Sequence, residues 1–277
     1  MSSTREVRRS WRSWLVELIG WPMPLLHFDT AVVDRWLWLR RRLPRVTGME
    51  RLIDIGCGTG AFTIGAALRG YEAIGLSWDD RNQSVAVTRA AFCKAQSASF
   101  EVLDVRHLDT RLDLTGKFEV AIMCEVIEHI LDDGKLVRDA AACLRPGGRL
   151  LLTTPNAHLR AIDPIHDGPF STVEDGGHVR KGYTEVDLRR LGTDAGLVVD
   201  TISYCTGPVS QLVTWIHFNL SKRLGPLAGW LAIHPLRPLP IVLDPVLAKI
   251  TRWPLYSICL EAHKPPSRET RYHDAVA

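Results

Sequence analysis

Residues 52 to 60 read Leu-Ile-Asp-Ile-Gly-Cys-Gly-Thr-Gly, an apolar run that meets an acid and then three glycines at alternate positions. The run before the acid predicts a buried strand. Gly56, Gly58 and Gly60 permit a tight turn with positive φ, and they let the backbone approach a ligand more closely than any β-carbon would allow. Asp54, at the carboxyl end of the strand, sets a carboxylate beside the turn, within reach of a cationic or hydroxyl-rich ligand.

Beyond the turn, apolar and turn signals alternate as a strand-helix-strand chain demands. The pattern predicts helices over 60–69, 81–95, 132–144 and 184–195, and strands over 71–76, 99–103, 118–124, 149–154, 197–204 and 255–263. Pro146-Gly147-Gly148 ends the third of those helices, and Thr184 with Asp187 forms a capping box for the fourth. With the first strand this makes seven, alternating with helices as in a doubly wound, mostly parallel α/β sheet. The length of 277 residues and 46% hydrophobic content fill one such domain, 46–264, with additions. A net charge of +3 gives no basic excess for a nucleic-acid groove. Cys57, Cys93, Cys124, Cys143, Cys205 and Cys259 show no metal-type spacing and read as reduced core thiols of a cytoplasmic protein.

Gly56-Cys57-Gly58-Thr59-Gly60-Ala61 satisfies the loose dinucleotide fingerprint, so those letters alone also permit a nicotinamide or flavin enzyme. The acid two places before the first glycine and the extra Gly60 resemble motif I of the class I S-adenosylmethionine (SAM) dependent methyltransferases, and the wider motif pattern resembles the ubiquinone-type O-methyltransferases. That resemblance implies a Rossmann-like fold of seven strands, the last antiparallel, with SAM across the strand ends. At the end of the second strand, where the family carries a ribose-binding acid, this chain has Ser77, so Trp78, Asp79 or Gln83 must share the ribose; cyclopropane-fatty-acid synthases show a similar hydroxyl and glutamine. Asp104 and the backbone amide of Val105 match the adenine motif, and a turn-capping aspartate is the other reading of Asp104. Cys124-Glu125-Val126-Ile127-Glu128-His129 is similar to the run that lies beside the methionine end of SAM in quinone and small-molecule O-methyltransferases. Thr153-Thr154-Pro155-Asn156 also matches the family.

Methyl transfer from a sulfonium is an in-line displacement, so the chain must align the reactants and accept a proton when the acceptor is a hydroxyl. His129 suits that base role, and so does His178, which occupies the place of a Gly-x-His run within the polar connection 155–183, the natural lid over an acceptor. Glu125, Glu128, His129 and His178 also form an oxygen and nitrogen set of the kind that some quinone O-methyltransferases use for a divalent metal. A plain structural role for Glu128-His129 stays open beside it.

Two apolar additions flank the core. Residues 1–45 hold five of nine tryptophans and nine arginines against four acids. Val7, Trp11, Trp14, Leu15 and Leu18 share a helical face, which fits either a lipid headgroup interface or a cover over the sheet. The insert 205–254 is apolar, proline-broken and too interrupted to span a bilayer. It reads as a helical cover that walls a greasy acceptor pocket or rests on a membrane. The tail 265–277 is polar and reads as disordered. Together these features point to a SAM-dependent enzyme that methylates a hydroxyl of a hydrophobic or lipid-linked small molecule, in the cytoplasm or at the inner membrane surface. Carbon methylation or cyclopropanation of a lipid, and a non-catalytic SAM-binding module, are the alternatives.

Overall fold

The computed structural model describes residues 29–163 and 167–266, together with Val16 and Leu18. The proposed interfacial face through Val7, Trp11, Trp14 and Leu15 lies outside the described residues, as does most of the polar tail. Seven strands form one sheet: β1 (Arg51–Ile55), β2 (Glu72–Ser77), β3 (Ala98–Val102), β4 (Phe118–Cys124), β5 (Leu144–Pro155), β6 (Val198–Cys205) and β7 (Ser257–His263). Their order is β3-β2-β1-β4-β5-β7-β6, with β7 antiparallel to both neighbours and the other pairings parallel. The chain therefore reverses direction between β1 and β4, and ligands of such sheets sit at the strand ends on that line.

The helices are α1 (Ala31–Arg40), α2 (Ala61–Ala67), α3 (Asp80–Phe92), α4 (Asp133–Cys143), α5 (Glu185–Asp194), α6 (Pro208–Leu224), α7 (Pro226–Ile233) and α8 (Pro238–Thr251). Two buried clusters flank the sheet. One joins Ile53, Ile55, Met123 and Leu152 to α4 and α5, and the other joins Leu52, Ile122 and Leu151 to α1 and α2. Sheets buried on both faces read as near-continuous apolar runs, which is why β1 and β4 were so plain in the sequence. The capping box at Thr184 and Asp187 is present.

Pro146-Gly147-Gly148 does not precede the fifth strand, as the sequence reading had it; β5 begins at Leu144 and passes through it. Gly147 at φ +79° lets the strand bulge, and its register against β4 shifts between Phe118 and Val120.

For residues 29–45, α1 is a cover over the sheet. Trp36 and Trp38 are buried. Trp36 stacks on Phe62, with ring centroids 6.4 Å apart, and a β-carbon on Gly65 would collide with it. The insert is helical, and α1 is stitched to it: the Thr30 hydroxyl donates to the Ser210 carbonyl at 2.7 Å, and its amide to Thr214 Oγ1 at 3.0 Å. α1 and the insert thus meet as one roof.

Candidate active site

The glycine turn follows β1. Gly56, Gly58 and Gly60 all have positive φ, at +82°, +51° and +77°. The three differ in what lies above them. A β-carbon on Gly56 would strike Val126, and one on Gly60 would strike Phe100 and Ala86, whereas one on Gly58 would meet open space. Gly58 is therefore where the turn faces a ligand, while Gly56 lets it press against the segment after β4. The amides of Gly56 and Cys57 donate to the Leu76 carbonyl, which ties the turn to β2.

Asp54 lies beneath this turn. Its carboxylate accepts a 2.6 Å hydrogen bond from Thr63, and burial pushes its pKa up to about 7. Ser77 is buried and Trp78 exposed. Gln83, read from sequence as a partner for the ribose, is instead buried, with its amide nitrogen donating to the carbonyls of Gly75 and Glu101. Gly75 and Glu101 stand on β2 and at β3, so this side chain ties helix to sheet. Asp79 caps α3 by accepting from the Arg81 amide. Asp104 takes the capping role as well: it accepts from the Arg106 amide, pairs with the Arg106 guanidinium and leads into a short helical turn at Val105. The hydrogen bonds from the Arg106 guanidinium, more than the one from its amide, hold the Asp104 carboxyl below its ordinary range.

Past β4 the chain turns sharply, with Glu125 at φ +55°. Glu125 Oε1 meets Arg35 Nε of α1 at 3.2 Å and accepts from Thr153 and Ser257. Burial opposes charge on Arg35, yet Glu125 and Asp29 hold its guanidinium firmly protonated. Sequence reading missed Arg35, because nothing local marks an arginine in an amphipathic segment as a buried partner.

Glu128 is fully buried. One carboxylate oxygen accepts from Thr154 at 3.0 Å, and the other, Oε1, has no hydrogen-bond partner and lies 3.9 Å from His129 Nε2. Burial first, then the neighbouring Glu125, push the Glu128 pKa well above the usual carboxylate range. The connection 155–183 folds back over this segment. The Val179 amide donates to the Glu128 carbonyl, and Arg180 grips Asp133 and the carbonyls of Ile130 and Leu131. His178 is thereby set edge-on to His129, with ring centroids 4.7 Å apart. His129 Nδ1 lies 3.0 Å from the Gly177 carbonyl, which selects the tautomer that leaves Nε2 as an acceptor facing Glu128. Ligand atoms of Glu128, His129 and His178 lie within 4.8 Å of one another. Glu125, the fourth member of the expected set, is engaged by Arg35 and stands apart from this cluster.

These groups floor a cavity of about 490 Å³. Arg35 and Tyr256 stand at its sides, and α6 contributes Gln211, Thr214, Trp215, Phe218 and Lys222. The insert does wall a pocket, one of the two roles its sequence suggested.

A family model described as "Methyltransferase domain" matches residues 25–202. The chain belongs to this methyltransferase family. Among curated relatives, the methyltransferase is 28% identical over 184 residues to the ubiquinone biosynthesis O-methyltransferase of Aeromonas salmonicida, covering 65% of this chain and 74% of that one. Solved structures share its fold at low identity. A SAM-dependent methyltransferase from Mesorhizobium loti aligns at TM-score 0.53 and 20% identity, over 83% of this chain and 97% of that one. Geranyl diphosphate C-methyltransferase from Streptomyces coelicolor aligns at TM-score 0.54 and 17% identity, over 83% and 77%. The doubly wound fold and the SAM-dependent methyltransferase class expected from sequence are borne out.

Proposed function

We propose that the protein transfers the methyl group of SAM to a hydroxyl of a hydrophobic small molecule held in the cavity beneath α1 and α6. One observation carries this reading: Glu128 and His129, on the chain segment that touches the glycine turn, converge with His178 of the connection 155–183 on the floor of a cavity with aromatic walls. SAM, when bound, supplies a methyl on a positively charged sulfur. The residues that would hold it are Gly56, Cys57, Gly58 and Gly60, Ser77 with Trp78 at the end of β2, Asp104 with Val105 after β3, and Glu125 after β4. The open space above Gly58 fits such a ligand.

The chain's own work is alignment and proton removal. His129 Nε2, fixed by the bond at Nδ1, accepts the proton of the acceptor hydroxyl, and His178 packs against that ring to hold its plane. Trp215 and Phe218 offer aromatic faces to a ring or chain and exclude water from the reacting oxygen. The name of the Aeromonas relative supports an oxygen acceptor. A hydrophobic acceptor also places the work at the inner membrane surface, although among the described residues no single helix is long and apolar enough to cross a membrane.

The buried, unpartnered Oε1 of Glu128 favours a second role for the same groups. Glu128, His129 and His178 match the donor types of a divalent cation site, and such an ion would lower the pKa of an acceptor hydroxyl.

Incubation with labelled SAM and a panel of phenols, catechols and prenylated or acylated alcohols, with NMR analysis of products, tests the reading. An O-methyl product is expected. A methyl on carbon, or SAM binding without turnover across the panel, would overturn it.

A further inference from the structure

Helix α8 is apolar nearly all round and is nevertheless exposed. Only Pro240 and Asp244 are buried. Leu239, Val242, Leu243, Val246 and Ile250, which share a face at helical spacing, are all exposed, Val242 at 66% and Ile250 at 73%. Leu227 and Leu231 of α7, the other limb of the bent pair, are exposed as well. A helix apolar on all sides belongs inside a protein core or a membrane, so this surface requires a cover.

Charge indicates which cover. Residues 205–254 carry Lys222, Arg223, Arg237, Lys249 and Arg252 against a single acid, Asp244. Asp244 is turned inward, where it accepts from the amides of Val209 and Ser210 and so caps α6. The exposed face is left free of negative charge and is flanked by the exposed cations Lys222, Arg223, Lys249 and Arg252. An apolar face with a cationic border matches an anionic lipid surface.

Geometry sets the depth. Pro226–Leu236 and Pro238–Thr251 are apolar enough to count together as a membrane segment but are bent by 59°. At 1.5 Å per residue the two limbs measure roughly 16 and 21 Å, less than the ~30 Å of a hydrocarbon core. Neither limb alone is long enough to span, and bent at that break the pair fits a re-entrant seat in one leaflet.

We infer that the α7–α8 face docks on a bilayer containing anionic lipids, with its apolar side chains in one leaflet, and so brings the acceptor cavity to the membrane surface. α6 joins the two sites: Trp215, Phe218 and Lys222 line the cavity, while Ser221 packs so tightly on α7 that a β-carbon on Gly229 would collide with it. Trp215 and Phe218 are themselves each 38% exposed, so the cavity opens alongside this helix. Delivery of an acceptor from the lipid rests on the function proposed above, whereas docking does not.

The test is flotation of the full-length protein with vesicles of phosphatidylcholine alone and of phosphatidylcholine with phosphatidylglycerol, beside calorimetric SAM binding and light scattering without lipid. Wild type should float with the anionic vesicles, less so at high salt. V242E/I250E should lower partitioning by about tenfold or more and leave SAM affinity unchanged, because both side chains point to solvent. The proposal is overturned if wild type stays in the aqueous fraction with both vesicles, or if the double variant floats as wild type does. A lipid-free dimer that the same substitutions dissociate would also overturn it, since the face would then be an interface between copies. Failure to dock with SAM binding and turnover of a soluble acceptor intact would leave the methyltransferase reading standing.

Discussion

Arg35 of α1 reaches across the roof of the cavity to place its Nε 3.2 Å from Glu125 Oε1, at the sharp turn after β4. Both side chains are largely withdrawn from water, at 9% and 15% exposure. Removing one partner of such a pair strands the other and costs about 3–5 kcal/mol. R35A should lose stability of that order in urea denaturation, and R35M/E125Q should lose clearly less than the sum of its single variants. Additive losses would show that the two residues act independently.

The base and the cofactor turn should separate in function. H129A is expected to keep SAM affinity within about twofold and to lower turnover by about 10²–10⁴. D54A removes the acceptor of the Thr63 hydroxyl beneath the glycine turn, and SAM affinity in calorimetry should fall more than about tenfold. Equal loss of binding in both variants would refute this division.

If Glu128, His129 and His178 hold a cation, protein stripped by chelation should bind Mg2+ or Mn2+ with measurable heat. E128Q and H129A should each weaken that binding by about tenfold or more. Turnover unchanged after exhaustive chelation, with no heat of binding, would leave these residues as proton acceptors alone.

Gln211 Nε2 is buried against the cavity without a hydrogen-bond partner. Such a donor gains most from a ligand oxygen, so Q211L should raise KM for an oxygen-bearing acceptor by about tenfold while SAM affinity holds. An unchanged KM would remove Gln211 from acceptor recognition.

Asp54 makes stability depend on pH. Its pKa of about 7 in the fold lies above that of an unfolded chain. Below about pH 4 both states are protonated and there is no penalty; between about 4 and 7 the unfolded state ionises first, so stability falls as pH rises. Above that range the loss is complete. D54N should therefore gain on wild type from pH 4 to pH 8, by an order of a few kcal/mol, in thermal melts across that range. A difference independent of pH would mean that Asp54 titrates normally.

Much of this was legible before any coordinates. The seven strands, the glycine turn and the capping box at Thr184 follow from local patterns of apolar and turn residues, and the antiparallel direction of the last strand from the family resemblance. The strand boundary at Leu144 was not legible, because a proline and two glycines look alike whether they end a helix or bulge a strand. Gln83 shows the same ambiguity at the site: a polar residue near a strand end binds a ligand or ties elements together, and only its partners, the carbonyls of Gly75 and Glu101, distinguish the two.

The chain's letters alone determined the order of its elements, the turn where a cofactor would lie, and the family to which it belongs. Those properties are encoded in neighbouring residues, whose spacing fixes backbone conformation and the face that must be buried. Tertiary structure decided that α1 and the insert form one roof, that Arg35 neutralises Glu125, that the lid sets His178 against His129, and that α8 leaves its apolar side outward. Each of these depends on residues far apart in sequence, whose contact is settled by packing of the whole sheet and by the cost of burying an unpaired charge.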